Sequence, residues 1–179
     1  TFTVETSGSE AIRVDSSGRL LVGTDTAQTL PTASALQVSG DGFPGSSIRQ
    51  TRFESGNSGP SLILAHARGS EASNAIVNDD DELGKIRFYG HDGVDFNNWG
   101  AEIKALVDGT PGSDDMPGRL MFLTTADGGT QPTERLRITS RGGFQFSNGF
   151  MSETVKINTT ARTGTQAVNL DDGMVHYFS

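Results

Sequence analysis

Cysteine is absent from this chain, and so are long apolar runs. Without cysteine there are no disulfide bonds and no thiolate chemistry, and the redox compartment stays undecided. No stretch of about eighteen consecutive apolar residues occurs, so no membrane insertion is predicted. The opening stretch, TFTVETSGSE, has neither the basic nor the apolar region of a signal peptide.

Basic residues are also scarce. The chain has 14 Lys and Arg against 22 Asp and Glu, which gives a formal net charge of −8. The basic residues are dispersed along the sequence, whereas a nucleic-acid backbone is bound by a concentrated basic surface. We therefore predict no nucleic-acid partner and interpret the acidic balance as a contribution to solubility.

Large apolar residues are few but ordered in pattern. Leu, Ile, Val and Phe supply 40 of the 179 residues, close to the level of about 20% below which charged chains tend to be disordered. These residues nevertheless cluster in short alternating runs, separated by turn segments rich in the 23 glycines. Such strands bury only a thin core within one chain. We therefore expect several copies to share a core and the protein to be an obligate oligomer.

The alternating runs recur about every ten residues, which predicts an all-β protein with little or no helix. Segments such as SGDGFPGS and DGTPGSDDMPG carry the glycine, proline and aspartate of turns. At most a single helical turn is expected, in DFNNWG. The predicted strands span residues 2–5, 11–14, 19–23, 35–39, 47–54, 61–67, 85–89, 101–107, 119–125, 135–138, 143–147, 153–157, 166–170 and 174–178.

One pattern occurs twice, as EAIRVDSSGRLLVG at residues 10–23 and as ERLRITSRGGFQFS at residues 134–147. In each copy, apolar residues alternate around an arginine, stop at a turn, and then alternate again, which is typical of a β-hairpin. We expect Gly18 and Gly142 to adopt the positive φ that short hairpin loops require. The repeat therefore predicts one structural unit used twice.

The blocks LGKIRFYGHDG and AEIKALVDGTPGSDDMPGRLMFLTTADGGTQPTERLRITSRGG, together with the shorter SSGRLLVGT, resemble a module common in bacteriophage tail fibres and tailspike-type virion appendages. The resemblance implies an elongated, intertwined homotrimer, in which short antiparallel strands and hairpins wrap a common axis. Many such fibres end in a helical intramolecular chaperone, whereas this chain ends in a predicted strand. The resemblance therefore implies a chaperone that was cleaved or lies outside this chain.

Four segments follow from the repeat and the resemblance. Residues 1–24 are predicted to form an N-terminal shaft hairpin, and residues 25–40 a polar linker with a short strand. Residues 41–149 are predicted to form a central β domain that the second hairpin closes. Residues 150–179 are predicted to begin a C-terminal β segment.

Motifs for catalysis or metal binding are sparse. His66, His91 and His176 lack the spacing of zinc ligands, and the acidic clusters lack the regular loop of a calcium site. Aspartate beside glycine is above all turn chemistry, although threefold repetition in a trimer could still place a cation on the axis. Neither a serine-hydrolase elbow nor a recognisable glycosidase carboxylate pair occurs. We expect no enzyme activity, cofactor or metal.

A candidate receptor-contact loop spans residues 90–100. It combines aromatic rings with carboxylates and amides, a mixture suited to sugars, and loops on a rigid β scaffold commonly carry recognition. The competing interpretation places Phe96 and Trp99 in the core or in a contact between chains. The candidate contact residues are Tyr89, Asp92, Asp95, Phe96, Asn97, Asn98 and Trp99.

The expected function is that of a structural and adhesive component of a phage tail fibre or spike, a virion protein that acts outside the cell. Its expected partners are further copies of itself, other virion tail proteins and a host-surface glycan or protein. A polysaccharide-degrading tailspike and a purely architectural spacer or capsid appendage are the alternatives.

Overall fold

The computed structural model describes residues 1–28, 34–42 and 45–149, together with the backbone of two short strands at residues 156–158 and 176–178. Within these ranges the chain forms strands, turns and irregular segments and no helix. Residues 95–98 contain bends where a helical turn was expected. None of the described residues belongs to a helix that could cross a membrane. The predicted all-β class is confirmed.

The N-terminal sheet contains four strands, β1 (Phe2–Thr6), β2 (Ser9–Val14), β3 (Leu20–Val22) and β4 (Leu36–Val38), in that spatial order. The first three strands are antiparallel neighbours, whereas β4 pairs parallel to β3. A parallel neighbour needs a crossover connection, which the polar segment between β3 and β4 supplies. Leu21 is fully buried at the centre of this sheet.

The central region begins with a small hairpin of β5 (Arg68–Ser70) and β6 (Ser73–Ala75). The central sheet follows as an antiparallel meander of β7 (Glu82–Tyr89), β8 (Trp99–Val107), β9 (Gly118–Thr124), β10 (Thr133–Ile138) and β11 (Phe144–Gln145). Its spatial order therefore matches its chain order, with β7 and β11 at the two edges. The last two strands, β12 (Lys156–Asn158) and β13 (His176–Phe178), pair in parallel.

The two sequence repeats form the same hairpin. In the first, the Gly18 amide donates to the Asp15 carbonyl (3.1 Å) and the Asp15 amide to the Arg19 carbonyl (3.0 Å). The equivalent bonds of the second hairpin, from Gly142 to Thr139 and from Thr139 to Gly143, are both 2.9 Å long.

The backbone angles of the two hairpin glycines also agree. Gly18 has φ 76° and Gly142 has φ 78°, the left-handed conformation that hairpin loops demand and that glycine adopts without strain. The prediction of two hairpins with left-handed glycines is confirmed.

An ion pair is repeated with the hairpin. Arg13 makes a two-pronged contact with the carboxylate of Glu10 in the first copy. Arg137 makes the same contact with Glu134 in the second, with N–O distances of 2.6 and 2.5 Å. This paired geometry adds directional hydrogen bonds to the charge attraction. The Glu and Arg positions of the repeat thus serve the hairpin itself.

The central sheet has two unlike faces, because residues directly opposite each other on neighbouring strands point the same way. One set, the charged face, includes three buried side chains, Glu102, Met121 and Leu123. The other set, the apolar face, buries Val107 at the end of β8 but leaves Ile86 and Phe88 about half exposed. The strand registers assign Arg87, Glu102, Lys104, Arg119, Met121, Leu123, Glu134 and Arg137 to the charged face, and Ile86, Phe88, Ile103, Leu120, Phe122, Leu136, Ile138 and Phe144 to the apolar face.

Two predicted strands do not form. Residues 47–54 and 61–67 have the alternation of strands, but the structure shows them as irregular chain with a bend at residues 55–57. A strand needs a neighbour to pair with, and no backbone hydrogen bond joins residues 47–67 to another described residue. The prediction of these two strands is wrong within the described residues, because alternation alone does not supply a neighbouring strand.

The C-terminal predictions are tested in part. Strands β12 and β13 overlap the predicted strands at 153–157 and 174–178, whereas the predicted strand at 166–170 lies outside the described residues. Most of the segment 150–179 lies outside them as well. The division into residues 1–24, 25–40, 41–149 and 150–179 stays a prediction.

Candidate functional site

The candidate loop is shorter than predicted. It leaves the sheet after Tyr89, the last residue of β7, and rejoins it at Trp99, the first residue of β8. Trp99 and Gly100 therefore belong to a strand and not to the loop. The sequence prediction missed this boundary because the register shifts between Phe88 and Tyr89, so that Tyr89 lies opposite Trp99.

Two carboxylates organise the loop from within. Asp92 accepts hydrogen bonds from the amides of Asp95 and Val94, both 2.9 Å, and from the Asn98 side chain at 3.2 Å. Asp95 in turn accepts from both the backbone (2.8 Å) and the side chain (2.5 Å) of Asn97. Four of the predicted contact residues are therefore bonded to one another and hold the loop in shape.

The protonation of Asp92 is tied to this loop geometry. The backbone amides of Asp95 and Val94 donate to its carboxylate and hold the pKa of Asp92 below its ordinary value. The charged form, which accepts the hydrogen bonds of Asp95 and Val94, is thus favoured.

Phe96 is the large aromatic residue that the loop presents outward. Its side chain is 42% exposed, and its ring meets that of His91 edge to face, with the ring centroids 5.0 Å apart. The His91 ring is itself held by a hydrogen bond from the Gly93 amide, 3.0 Å long. This arrangement supports Phe96 from one side and leaves much of it open to solvent.

Trp99, by contrast, is packed against the sheet. The guanidinium carbon of Arg87 lies 4.5 Å from the centroid of the indole ring, and the Tyr89 ring lies 5.9 Å away at a tilted angle. Arg87 is held in place by Glu102, a buried carboxylate, at 2.6 Å. Trp99 is therefore part of a stacked structural cluster, and its buried indole nitrogen has no hydrogen-bond partner among the described residues.

A groove lies between strand β4 and the loop. It encloses about 370 Å³ and is lined by Tyr89 and Phe96 on the loop side. The facing wall comes from residues far away in sequence, namely Gln28, Ser34, Gln37, Val38 and Ser39. A second cavity of about 520 Å³ shares Gln28, Ser39 and Phe96 with it, so the two are neighbours.

Sequence reasoning missed the facing wall of this groove. Gln28 and Gln37 lie in a segment interpreted as linker and short strand, where nothing marks them as binding residues. In the structure the two are tied together, since the Gln28 amide donates to the Gln37 side chain (2.8 Å) and Gln37 donates back to the Gln28 carbonyl (3.2 Å). No local pattern could have placed these amides beside Phe96.

The predicted site residues thus separate into three groups. Tyr89 and Phe96 line the groove, the two aspartates and two asparagines stabilise the loop, and Trp99 packs on the sheet. No group of three metal-binding side chains is found within the described residues. The groove offers aromatic surface and amide groups, which bind neutral polar ligands through stacking and hydrogen bonds.

This architecture occurs in a solved protein. The carboxy-terminal domain of the bacteriophage T5 L-shaped tail fibre matches the chain with a TM-score of 0.62 and 16% identity, over 90% of this chain and 73% of that one. The fold is a phage tail-fibre fold. The same domain solved with its intra-molecular chaperone domain matches with a TM-score of 0.64 and 16% identity, over 91% of this chain and 51% of that chain.

The likeness to this tail-fibre domain is one of fold. Neither a protein-family model nor a curated protein matches the sequence. The predicted resemblance to phage tail fibres is confirmed at the level of the fold, whereas the homotrimer and the receptor contacts stay predictions. The chain spans about half the length of the solved form that includes the chaperone domain.

Proposed function

We propose that the protein is a structural and adhesive segment of a phage tail fibre, a virion component that contributes to attachment at the host surface. The observation that carries the proposal is the tail-fibre fold, shared over most of the chain. The proposed role is non-enzymatic and needs no cofactor. Its partners are further copies of the chain, other tail proteins and a host-surface glycan or protein.

The apolar face of the central sheet supports a homotrimer. In the single chain, Ile86 and Phe88 at one edge of this face and Phe144 at the other edge are 45%, 51% and 67% exposed, and apolar residues of β8 to β10 lie between them. Soluble proteins seldom leave such a contiguous apolar surface uncovered unless it is an interface. Packing three copies face to face around an axis removes this surface from water.

The groove supports adhesion. Phe96 supplies a ring for stacking on a sugar, and the amides of Gln28 and Gln37 lie on the opposite wall. The loop that holds Phe96 is fixed by Asp92 and Asp95, so its shape is set before a ligand arrives. Pre-organisation of this kind lowers the entropic cost of binding.

Binding of fluorescently labelled protein to a panel of bacteria tests the proposal. If the groove is the contact site, Phe96→Ala abolishes binding to the host strain, while Val94→Ala, at a more exposed apolar position of the same loop, leaves it unchanged. Wild-type protein that binds no strain would favour an architectural spacer. New reducing ends in host polysaccharide would favour a degrading tailspike.

A further inference from the structure

Residues 47–67, here called the arm, form the longest stretch of the described chain without secondary structure. Every residue of the arm is exposed, yet the runs 47–53 and 62–67, on either side of ESGNSGPS, do not have the composition of a linker. Ile48, Phe53, Leu62 and Ile63 are 70%, 94%, 70% and 80% exposed. Flexible linkers are polar and rich in Gly and Ser, so these side chains indicate a segment that is covered in the functional protein.

The arm has strand-forming sequence and unpaired backbone. Its two alternating runs, 47–54 and 61–67, have the length and pattern of strands. Their backbone groups nevertheless form no ladder within the described chain. An exposed, apolar, unpaired segment of this kind invites pairing with another chain.

The root of the arm is fixed on the apolar face of its own sheet. A Cβ atom placed on Gly84 would lie 2.7 Å from the Cβ of Leu64, which shows how closely the arm crosses β7. His66 Nδ1 lies 2.8 Å from the carbonyl oxygen of Glu82. N-terminal to this anchor, every residue of the arm is exposed and its large apolar side chains are uncovered.

The matching surface is present on the same chain. Strand β7 is an edge strand of eight residues, and its Ile86 and Phe88 point to the exposed apolar face. The run 47–54, if extended, spans about 26 Å, which is the length of β7. In a cyclic assembly every chain can offer one arm and accept another.

We propose that the arm is an exchange arm, which adds strand pairing to the β7 edge of a second copy of the chain and buries its apolar side chains there. This inference rests on the proposed homotrimer and goes beyond it, since it names the segment that crosses between chains. The exchange supplies ladder hydrogen bonds for the arm and a neighbouring strand for the β7 edge.

The absence of native cysteine makes a single-site cross-linking test possible. Two variants, Phe53→Cys and Ile63→Cys, each carry an affinity tag and are labelled with a thiol-reactive benzophenone. Each labelled variant is then assembled with untagged wild-type chains. Irradiation, denaturation and capture of the tag then reveal any wild-type chain joined to the variant. Asp127→Cys, at an exposed turn between β9 and β10, is the matched control.

The expected product from Phe53→Cys and Ile63→Cys contains a wild-type chain, with attachment at or beside residues 82–89, and Asp127→Cys gives no such product. Products confined to the labelled chain, or none above the control, overturn the exchange. Light scattering before irradiation separates the two proposals. A monomer of 18.9 kDa overturns both the homotrimer and the exchange, whereas an oligomer with only internal products overturns the exchange alone.

Discussion

On one face of the central sheet, charged side chains lie beside Met121 and Leu123, which are 7% and 8% exposed. On the other face Phe88 and Phe144 are 51% and 67% exposed, and no described part of the chain covers them. The long stems of arginine and lysine can shield apolar neighbours while their heads pair with carboxylates. The charged face therefore shields its apolar side chains within the chain, whereas the apolar face leaves large side chains uncovered by the described residues.

The largest expected effect comes from placing a charge on the apolar face. Phe88→Asp should weaken assembly by about 2 kcal/mol per chain, because apolar burial is lost. Burying the new carboxylate adds a further cost. Light scattering should show the mass falling to that of one chain. Val94→Asp, at an exposed loop position, is the control. An unchanged mass for Phe88→Asp would mean that the apolar face is not an interface.

The next expected effect, on the charged face, changes the stability of the chain and not its assembly. Glu102, whose side chain is 4% exposed, pairs with Arg87 at 2.6 Å and Lys104 at 3.5 Å. Glu102→Gln leaves both cations without their charge partner and should reduce the free energy of unfolding by about 3 kcal/mol per chain. The oligomer mass should be unchanged at low denaturant.

The matched control for Glu102→Gln is Glu82→Gln, which breaks the more exposed pair with Lys85 and should cost less than about 1 kcal/mol. If urea unfolding shows the same loss of free energy of unfolding for both variants, burial of the Glu102 pair does not add to its stability.

The second hairpin tests how the two faces are kept apart. A one-residue slip of β11 would exchange Phe144 and Gln145 between the faces, and the turn at Gly142 fixes the register. Gly142→Val should cost about 1 to 2 kcal/mol, since φ is positive there and an L-residue is strained in that conformation. Gly90→Val, at a loop glycine without positive φ and with open space around it, should melt like the wild type. Equal melting temperatures for both variants would contradict the strained turn.

The smallest expected effect is an acid-dependent loss on the charged face. Arg137 holds the pKa of Glu134 below its ordinary value of 4.5, with help from Ser147. A lowered folded-state pKa gives stability that is present above the unfolded value and is lost as the pH falls through the folded one. Unfolding followed in steps below pH 4.5 should show this loss, and Glu134→Gln should remove it. A loss of the same size in Glu134→Gln would assign the effect to other carboxylates.

The sequence predicted what is local. Both hairpins, their left-handed glycines and the all-β class follow from alternation and turn residues a few positions apart. The difference between the charged face and the apolar face could not be predicted from the sequence. Arg87, Glu102 and Met121 lie on three different strands, and only the strand register brings them together. The arm was predicted as two strands because its apolar residues alternate. Alternation does not show which strand, if any, the segment pairs with. The groove was missed because Gln37 and Phe96 are joined by the fold and not by sequence spacing.

The groove has one more property that follows from its construction. Gln28, Gln37 and Ser39 belong to the first sheet region, whereas Tyr89 and Phe96 belong to the second. A ligand held there would touch both regions of the chain at once and would brace one against the other. By thermodynamic reciprocity, any influence that holds the two regions in the binding geometry would raise affinity for the ligand. In the proposed attachment role, affinity for the host surface and rigidity between the two regions of the chain would then increase together.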